Sequence, residues 1–397
     1  MNKSIDHTLT LAQTRSIMDR SLVSTQNVNT EVLIIGGNLT GITLASILQE
    51  RGHDVTLMID TESLFDSFEQ QYLLFTKAST PLYAELLQNA GIEKTKLYYE
   101  AIQEAIYFFK YQIERLKLDC LLSVEDVYFF AETSDEKRLM ENEIMAMELA
   151  GIPIERVIDK QSERFLIENV TGYVLRDQLQ FCPSRYVASL LNHFCSHGGK
   201  IIKEKTINNQ QFATSVAIRF EDDQTINAEK VVFTTPPSKI DWTELSLSRT
   251  EEQGSIKTGV LKNKSLKGIH VRLNPTQSSL SIHQDDNSLK IGVLFEKYSS
   301  SNFFNSFEKQ VSSRMEKICF ENFQCFENRT ERYITSDSLP SIGQLDRISP
   351  NVFLATGYRE DDISSSLLSS LLLTSLIRDL PSKYRTLFNP YRFAKTK

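Results

Sequence analysis

An α/β fold, with a smaller and mostly antiparallel α+β domain interleaved into it, is what this sequence predicts, on three observations. The stretch EVLIIGGNLTGITLASILQERGHDVTLMID (31–60) reads strand, glycine turn, helix, strand. Packed into about thirty residues, that order is the mononucleotide-binding βαβ unit. A second apolar run stopped by glycine, NVFLATG (351–357), feeds a serine- and leucine-rich helix far down the chain. Finally, 397 residues exceed the span of one core, yet no repeat or low-complexity linker divides them, so two domains are interleaved rather than strung in tandem.

Each element follows from its local pattern. PLYAELLQNAGIEKTKLYYEAIQEAIYFFKYQIERLKL (81–118) is rich in helix formers and breaks at Ala90-Gly91, which predicts two helices. DVYFFAE is a strand, and SDEKRLMENEIMAMELAG a helix with a serine cap and a glycine stop. GYVLRDQLQFCP, the helix after Ser184 and GGKIIKEKTI repeat the βα theme. SVAIRFEDDQTINAEKVVFTTPP alternates and turns at Asp222-Asp223, a meander ending in the buried strand VVFTT. Residues 255–310 are strand-like and polar, with a long helix starting in SSSNFFNSFEKQ. The boundaries expected are a lead segment at 1–29, a discontinuous dinucleotide-binding domain at 30–118, 156–240 and 331–381, a substrate-type domain at 119–155 and 241–330, and a tail at 382–397.

Composition excludes several classes. A net charge of −7 argues against a nucleic-acid surface. The longest apolar run, LLSSLLLTSLI (367–377), is too short to span a bilayer, and the first thirty residues hold no secretory h-region. Five scattered cysteines without a C-x-x-C pair point to free thiols in a reducing, cytoplasmic setting. HFCSH (His193, Cys195, His197) has metal-like spacing but no third ligand nearby, so it reads as a helix end and no metal is expected.

The order of elements resembles the FAD-dependent oxidoreductases of the D-amino-acid-oxidase/glycine-oxidase superfamily, and within it the bacterial branch that often carries a C-terminal Rieske domain. Besides the N-terminal unit, KLYYEAIQEAIYFFKYQIERLKLDC (96–120), MAMELAGIPIERVID, LQFCPSRYVASLLNHFCSHGGKII and TSDSLPSIGQLDRISPNVFLATGY carry the likeness, from about Thr30 to Phe393. A Rieske cluster needs a C-x-H and a C-x-x-H pair together. The two do not occur together here, so no iron–sulfur relay is expected within these residues.

The resemblance implies FAD and assigns its contacts. Gly36 makes the tight turn, Gly37 and Thr40 complete the loop, and Gly41 lets the helix pack on its strand. Asn38 stands where a glycine normally lets the backbone approach the pyrophosphate. The ribose acid falls at Ile59, with Asp60 one residue late. EQQYLL (69–74) replaces a small hydroxyl-bearing loop. After Gly357, Asp361 and Asp362 occupy the helix end that should face the flavin, Asp362 also serving as N-cap. These departures predict FAD held weakly or lost. The function implied is hydride transfer to FAD from the carbon beside an amine, in a small amine or amino acid. Arg332 and Tyr333, with Arg272, are the candidates to hold a substrate carboxylate. The alternative is a non-catalytic protein of this fold that binds a protein partner, such as an active paralogue. An NAD(P) enzyme ranks last, because IDTESL offers neither a strand-end acid nor a basic substitute.

Overall fold

The structure is a computed structural model that describes residues 7–23, 28–61, 64, 73–75, 83–131, 133–157, 171–205, 207–212, 215–235, 245–261, 269–272, 278–285, 288–296, 319–358 and 362–393. The long helix expected from SSSNFFNSFEKQ lies outside these residues.

The first sheet is built around the N-terminal unit. Strand β1 (Val28–Ile35) runs into helix α2 (Leu39–Glu50) and returns as β2 (Val55–Ile59). β1 and β2 are parallel, and β7 (Lys200–Lys203) adds to β2. On the other side β10 (Thr225–Phe233) pairs with β1, and β17 (Val352–Thr356) with β10, both in parallel. The order is β16-β17-β10-β1-β2-β7, where β16 (Ser341–Gln344) is antiparallel. The hairpin β8 (Ile207–Phe212) and β9 (Val216–Phe220) joins through β10 and leads into it by a turn where Asp223 takes a positive φ of 63°. The NVFLATG strand therefore sits in the sheet of β1, separated from it by β10. The parallel strands are apolar and buried where they run through the middle of the sheet, as in VLII of β1, VVF of β10 and VFLA of β17, because both faces are covered there.

The second sheet runs β15-β11-β14-β13-β12-β4-β6-β3, with β5 on β6. Its strands are β3 (Leu73–Phe75), β4 (Ser123–Ala131), β5 (Glu155–Val157), β6 (Thr171–Phe181), β11 (Leu247–Leu261), β12 (Ile269–Arg272), β13 (Ser278–Asp285), β14 (Ser288–Glu296) and β15 (Cys319–Thr335). All described pairings in it are antiparallel except β12 with β4.

Three expected boundaries need correction. β3 and β6 fall in segments assigned to the first domain, yet both pair in the second sheet. For β6 the reason is Gly172, where a side chain would collide with the carbonyl oxygen of Phe129 on β4, so that the two strands close together. The boundary at 330/331 cuts through the continuous strand β15. The segment after 382 is no loose tail: Tyr384, Leu387 and Phe388 are buried. Arg392 donates to both oxygens of Asp337 (2.7 and 2.8 Å) and to Leu339 O (2.7 Å), while Ile342 N donates to Phe388 O (2.8 Å).

The helices follow their periodicity. α3 (Tyr83–Ala90) and α4 (Ile92–Leu116) break at Gly91, φ 82°. α5 (Ser134–Ala150) ends at Gly151, but its cap is Thr133, which accepts from Glu136 N while the Glu136 carboxylate takes Thr133 N. The lead segment contains α1 (His7–Ser21), whose Met18 and Thr14 are buried. α6 (Pro183–Ser196) and α7 (Asp362–Ile377) complete the set. α7 is buried on nearly every side despite its serines, because the hydroxyls bond back along the helix: Ser369 to Ser365 O, Ser370 to Ser366 O and Thr374 to Ser370 O, at 2.7–2.8 Å. Ser370 also reaches Thr40 O on α2, 3.1 Å away. No helix among the described residues is long and apolar enough to cross a membrane.

Glu143 on α5 has no exposure, and its two oxygens accept from Tyr83 N (2.9 Å) and Ala84 N (2.8 Å) at the start of α3. A charged acceptor at a helix N-terminus is favoured by the helix dipole and leaves no buried charge unmatched. Glu143→Ala is expected to lower unfolding stability by about 3 kcal/mol, read as a fall in the urea midpoint without a change in slope.

Candidate functional site

The C-terminal ends of the parallel strands carry the site, as the fold class requires. β1 ends in Gly36 and Gly37, β2 in Asp60, β10 in Thr234 and β17 in Gly357.

Between β1 and α2 the chain turns at Gly36, φ +128°, where any side chain would collide with Thr234 Oγ1. Thr234 is itself fixed, its N donating to Ile35 O (3.0 Å) and its Oγ1 to the same oxygen (3.2 Å). A Cβ on Gly41 would strike Gly36 O, so that glycine lets α2 close on the loop. Asn38 is the N-cap of α2 at φ −77°, ψ 174°. Its Oδ1 accepts from Gly41 N (3.0 Å) and its Nδ2 donates to Thr234 O (2.8 Å). The side chain is thus folded into the protein and does not crowd the phosphate approach, contrary to the sequence reading. Thr40 Oγ1 is bonded to Tyr358 OH (2.9 Å), which ties α2 to the segment after β17.

Ile59 is fully buried, with its branched carbon against Gly37 and on the same core face as Val55 and Leu57. A carboxylate at 59 would therefore be buried beneath the loop, and exchanging Ile59 for glutamate would not restore a ribose contact. The acids at this edge are Asp60 and Glu204. Glu204 N donates to Ile59 O (2.7 Å), joining the ends of β2 and β7. Partial desolvation and then the charge of Asp60 raise the Glu204 carboxyl from its ordinary pKa.

Gly357, φ +80°, lies where the two sheets meet. A Cβ there would stand 2.9 Å from Thr335 Cγ2 at the end of β15 and 3.5 Å from Leu247 on β11. Tyr333, two residues before Thr335, shares its strand face and is half-buried. Arg332 and Arg272 are placed by register, opposite Thr250 and Leu280, but their side chains lie outside the described residues. So do the side chain of Asp362, all of Asp361, and most of EQQYLL. Sequence reasoning missed Thr234, Glu204 and Tyr358. Thr234 lies within the buried run VVFTT and Glu204 follows KIIK, so the ends of those strands were the signal.

The histidine cluster packs against the end of α2. His193 Nε2 lies 3.1 Å from Glu50 Oε1, the His193 and His197 rings approach to 4.1 Å, and burial and then His197 lower the pKa of His193. No group of three ligating side chains suited to a metal occurs among the described residues.

The residues present fit FAD at its adenosine and diphosphate portions. α2 has no acidic residue in its first turn, so no carboxylate of its own neutralises the positive end of the helix. Asp60 and Glu204 place two carboxylates, groups able to accept from ribose hydroxyls, at the ends of β2 and β7.

A sheet and loop of this kind define a class, and the comparisons name it. The family described as FAD dependent oxidoreductase (DAO) matches residues 31–376, and the chain belongs to it; the family and its glycine oxidase neighbours are FAD-dependent. Glycine oxidase from Geobacillus kaustophilus superposes with a TM-score of 0.71 at 18% identity, over 92% of this chain and 99% of that one. L-proline dehydrogenase from P. horikoshii gives 0.67 at 13% identity, covering 92% and 98%. A Bacillus subtilis (strain 168) protein, YhfW, whose name assigns it a Rieske 2Fe-2S centre, is 23% identical over 367 residues, 91% of this chain and 71% of that protein.

Two outcomes test this geometry. Gly36→Ala is expected to cost about 1–3 kcal/mol from backbone strain, beyond the Thr234 collision. Gly36→Ala with Thr234→Ala should recover only the collision, seen by comparing melting temperatures. The thiol of Cys120, pushed up to about 12 by burial and then by Asp119, stays protonated at pH 8. It should resist an aromatic disulfide reagent in the native state and react only on unfolding.

Proposed function

We propose that the protein oxidises a small amine or amino acid by hydride transfer from the carbon beside the nitrogen to FAD. The observation that carries the reading is the convergence of the open end of α2, the Asp60–Glu204 edge and the Gly357 junction on one side of a single parallel sheet. FAD, when bound, supplies the two-electron acceptor. The chain's own groups hold and orient. The N–H groups at the start of α2 and the helix field take the diphosphate oxygens, with Gly36, Gly37 and Gly41 keeping side chains out of the way. Asp60 and Glu204 accept from ribose hydroxyls. Tyr333, at the meeting of β15 with Gly357, presents a phenol to the substrate carboxylate; Arg332, the next residue of an alternating strand, is the alternative to Tyr333 rather than its partner. Asp362 opens α7, and Ile363 behind it is buried.

A second reading, a non-catalytic protein of this fold serving a protein partner, is favoured by one observation, the Asp361-Asp362 pair of carboxylates at the helix end that should face the flavin. The visible spectrum of the purified protein separates the two. Catalysis requires flavin bands that bleach anaerobically with one member of a panel of amines and amino acids. Bands absent even after incubation with excess FAD, or unmoved by any reductive substrate, favour the partner reading. With a substrate in hand, Tyr333→Phe is expected to raise KM about tenfold and to change kcat less, the signature of lost ground-state binding.

A further inference from the structure

We infer that Asn38 is a positioning residue for the cofactor diphosphate, holding the end of α2 in its binding shape before any ligand arrives. The inference rests on the FAD reading above. At φ −77° and ψ 174° the backbone of residue 38 is extended and open to any residue, so a glycine would relieve nothing there. What Asn38 adds is a two-ended side chain. The acceptor end takes Gly41 N (3.0 Å), and the donor end is spent on Thr234 O (2.8 Å), the last residues of β10. Thr234 is in turn tied to Ile35 O at the end of β1 (3.0 Å), and Ile42 N closes the first helical hydrogen bond to Asn38 O (3.1 Å). The loop is therefore clamped from both sides by one side chain with a donor and an acceptor at the right reach. Aspartate can satisfy the helix N–H but carries no donor for Thr234 O, and serine has one short-armed oxygen where the asparagine amide has two separate atoms.

Two consequences bear on binding. The remaining N–H groups of the first turn, those of Leu39 and Thr40, have no acceptor among the described residues and are the groups with which a helix N-terminus takes an anion. The amide is also neutral, so the cap is made without a negative charge that would compete with the diphosphate. A loop already ordered does not spend binding energy on its own ordering. In this chain the asparagine does what ligand contacts would otherwise have to do.

The test follows amide hydrogen exchange of residues 36–42 in cofactor-free protein, together with FAD and ADP titrations, for wild type, Asn38→Gly, Asn38→Ser and Asn38→Asp. Wild type should be protected without ligand. Asn38→Gly should lose that protection and bind FAD about tenfold more weakly, with Asn38→Ser between them. Asn38→Asp keeps the helix cap, so its melting temperature should stay near that of wild type, while FAD and ADP affinity should fall further than in Asn38→Gly; a purely structural cap would not produce that split. Should Asn38→Gly fail to fold, the serine and aspartate variants carry the comparison. FAD binding in Asn38→Gly or Asn38→Asp as tight as in wild type, or unchanged protection, would overturn the role of Asn38 while leaving the FAD reading intact. A folded wild type that binds neither FAD nor ADP overturns that reading and the role of Asn38 with it.

Discussion

Thr234 is the point on which the site depends. Its backbone N–H and its hydroxyl both go to Ile35 O, which joins the ends of β1 and β10, and its carbonyl receives Asn38. Gly36 has to be glycine because that hydroxyl fills the space a side chain would need. One threonine thus sets the turn out of β1, the entry of α2 and the separation of two central strands. Buried polar groups stabilise only when fully matched, and each polar atom of this residue is matched by the loop it shapes.

α2 and α7 show how the sheet is covered without crowding that edge. Both are buried over most of their length, and where they touch, the Ser370 hydroxyl meets the backbone carbonyl of Thr40. Back-bonding within α7 satisfies its own donors, so the serines enter a dry interface without orphaned groups. At the outer ends, Lys230 donates to Ile377 O, the last carbonyl of α7 (2.5 Å), matching a positive charge to the negative helix end.

Local pattern made much of this legible. The βαβ unit, the break at Gly91 and the turn at Asp223 are short-range decisions set by glycine, helix period and alternation. The cap of α5 was readable too: Thr133-x-x-Glu136 is a capping box, whereas Ser134 has Lys137 at the matching offset. What escaped was non-local. β6 looks like any amphipathic strand, and its place in the second sheet rests on distant partners, among them Phe129, whose carbonyl oxygen leaves no room for a side chain at Gly172. The partner of Asn38 lies 196 residues away, so a side chain that reads as an obstruction is in fact folded inward. Ile59 was read for the acid it lacks, when its place under Gly37 makes it a core residue with no access to the ligand edge.

β15 runs unbroken from the far edge of the second sheet to Gly357, in regular register with β11 from Asn328 to Thr335. Because neighbouring residues of a strand face opposite ways, insertion or deletion of one residue in that stretch would exchange the set facing the junction for the set facing away. Length change there is tolerable in pairs and disruptive singly. Lineages of this protein should therefore drift in sequence along these residues while keeping the parity of the spacing between Arg329 and Thr335.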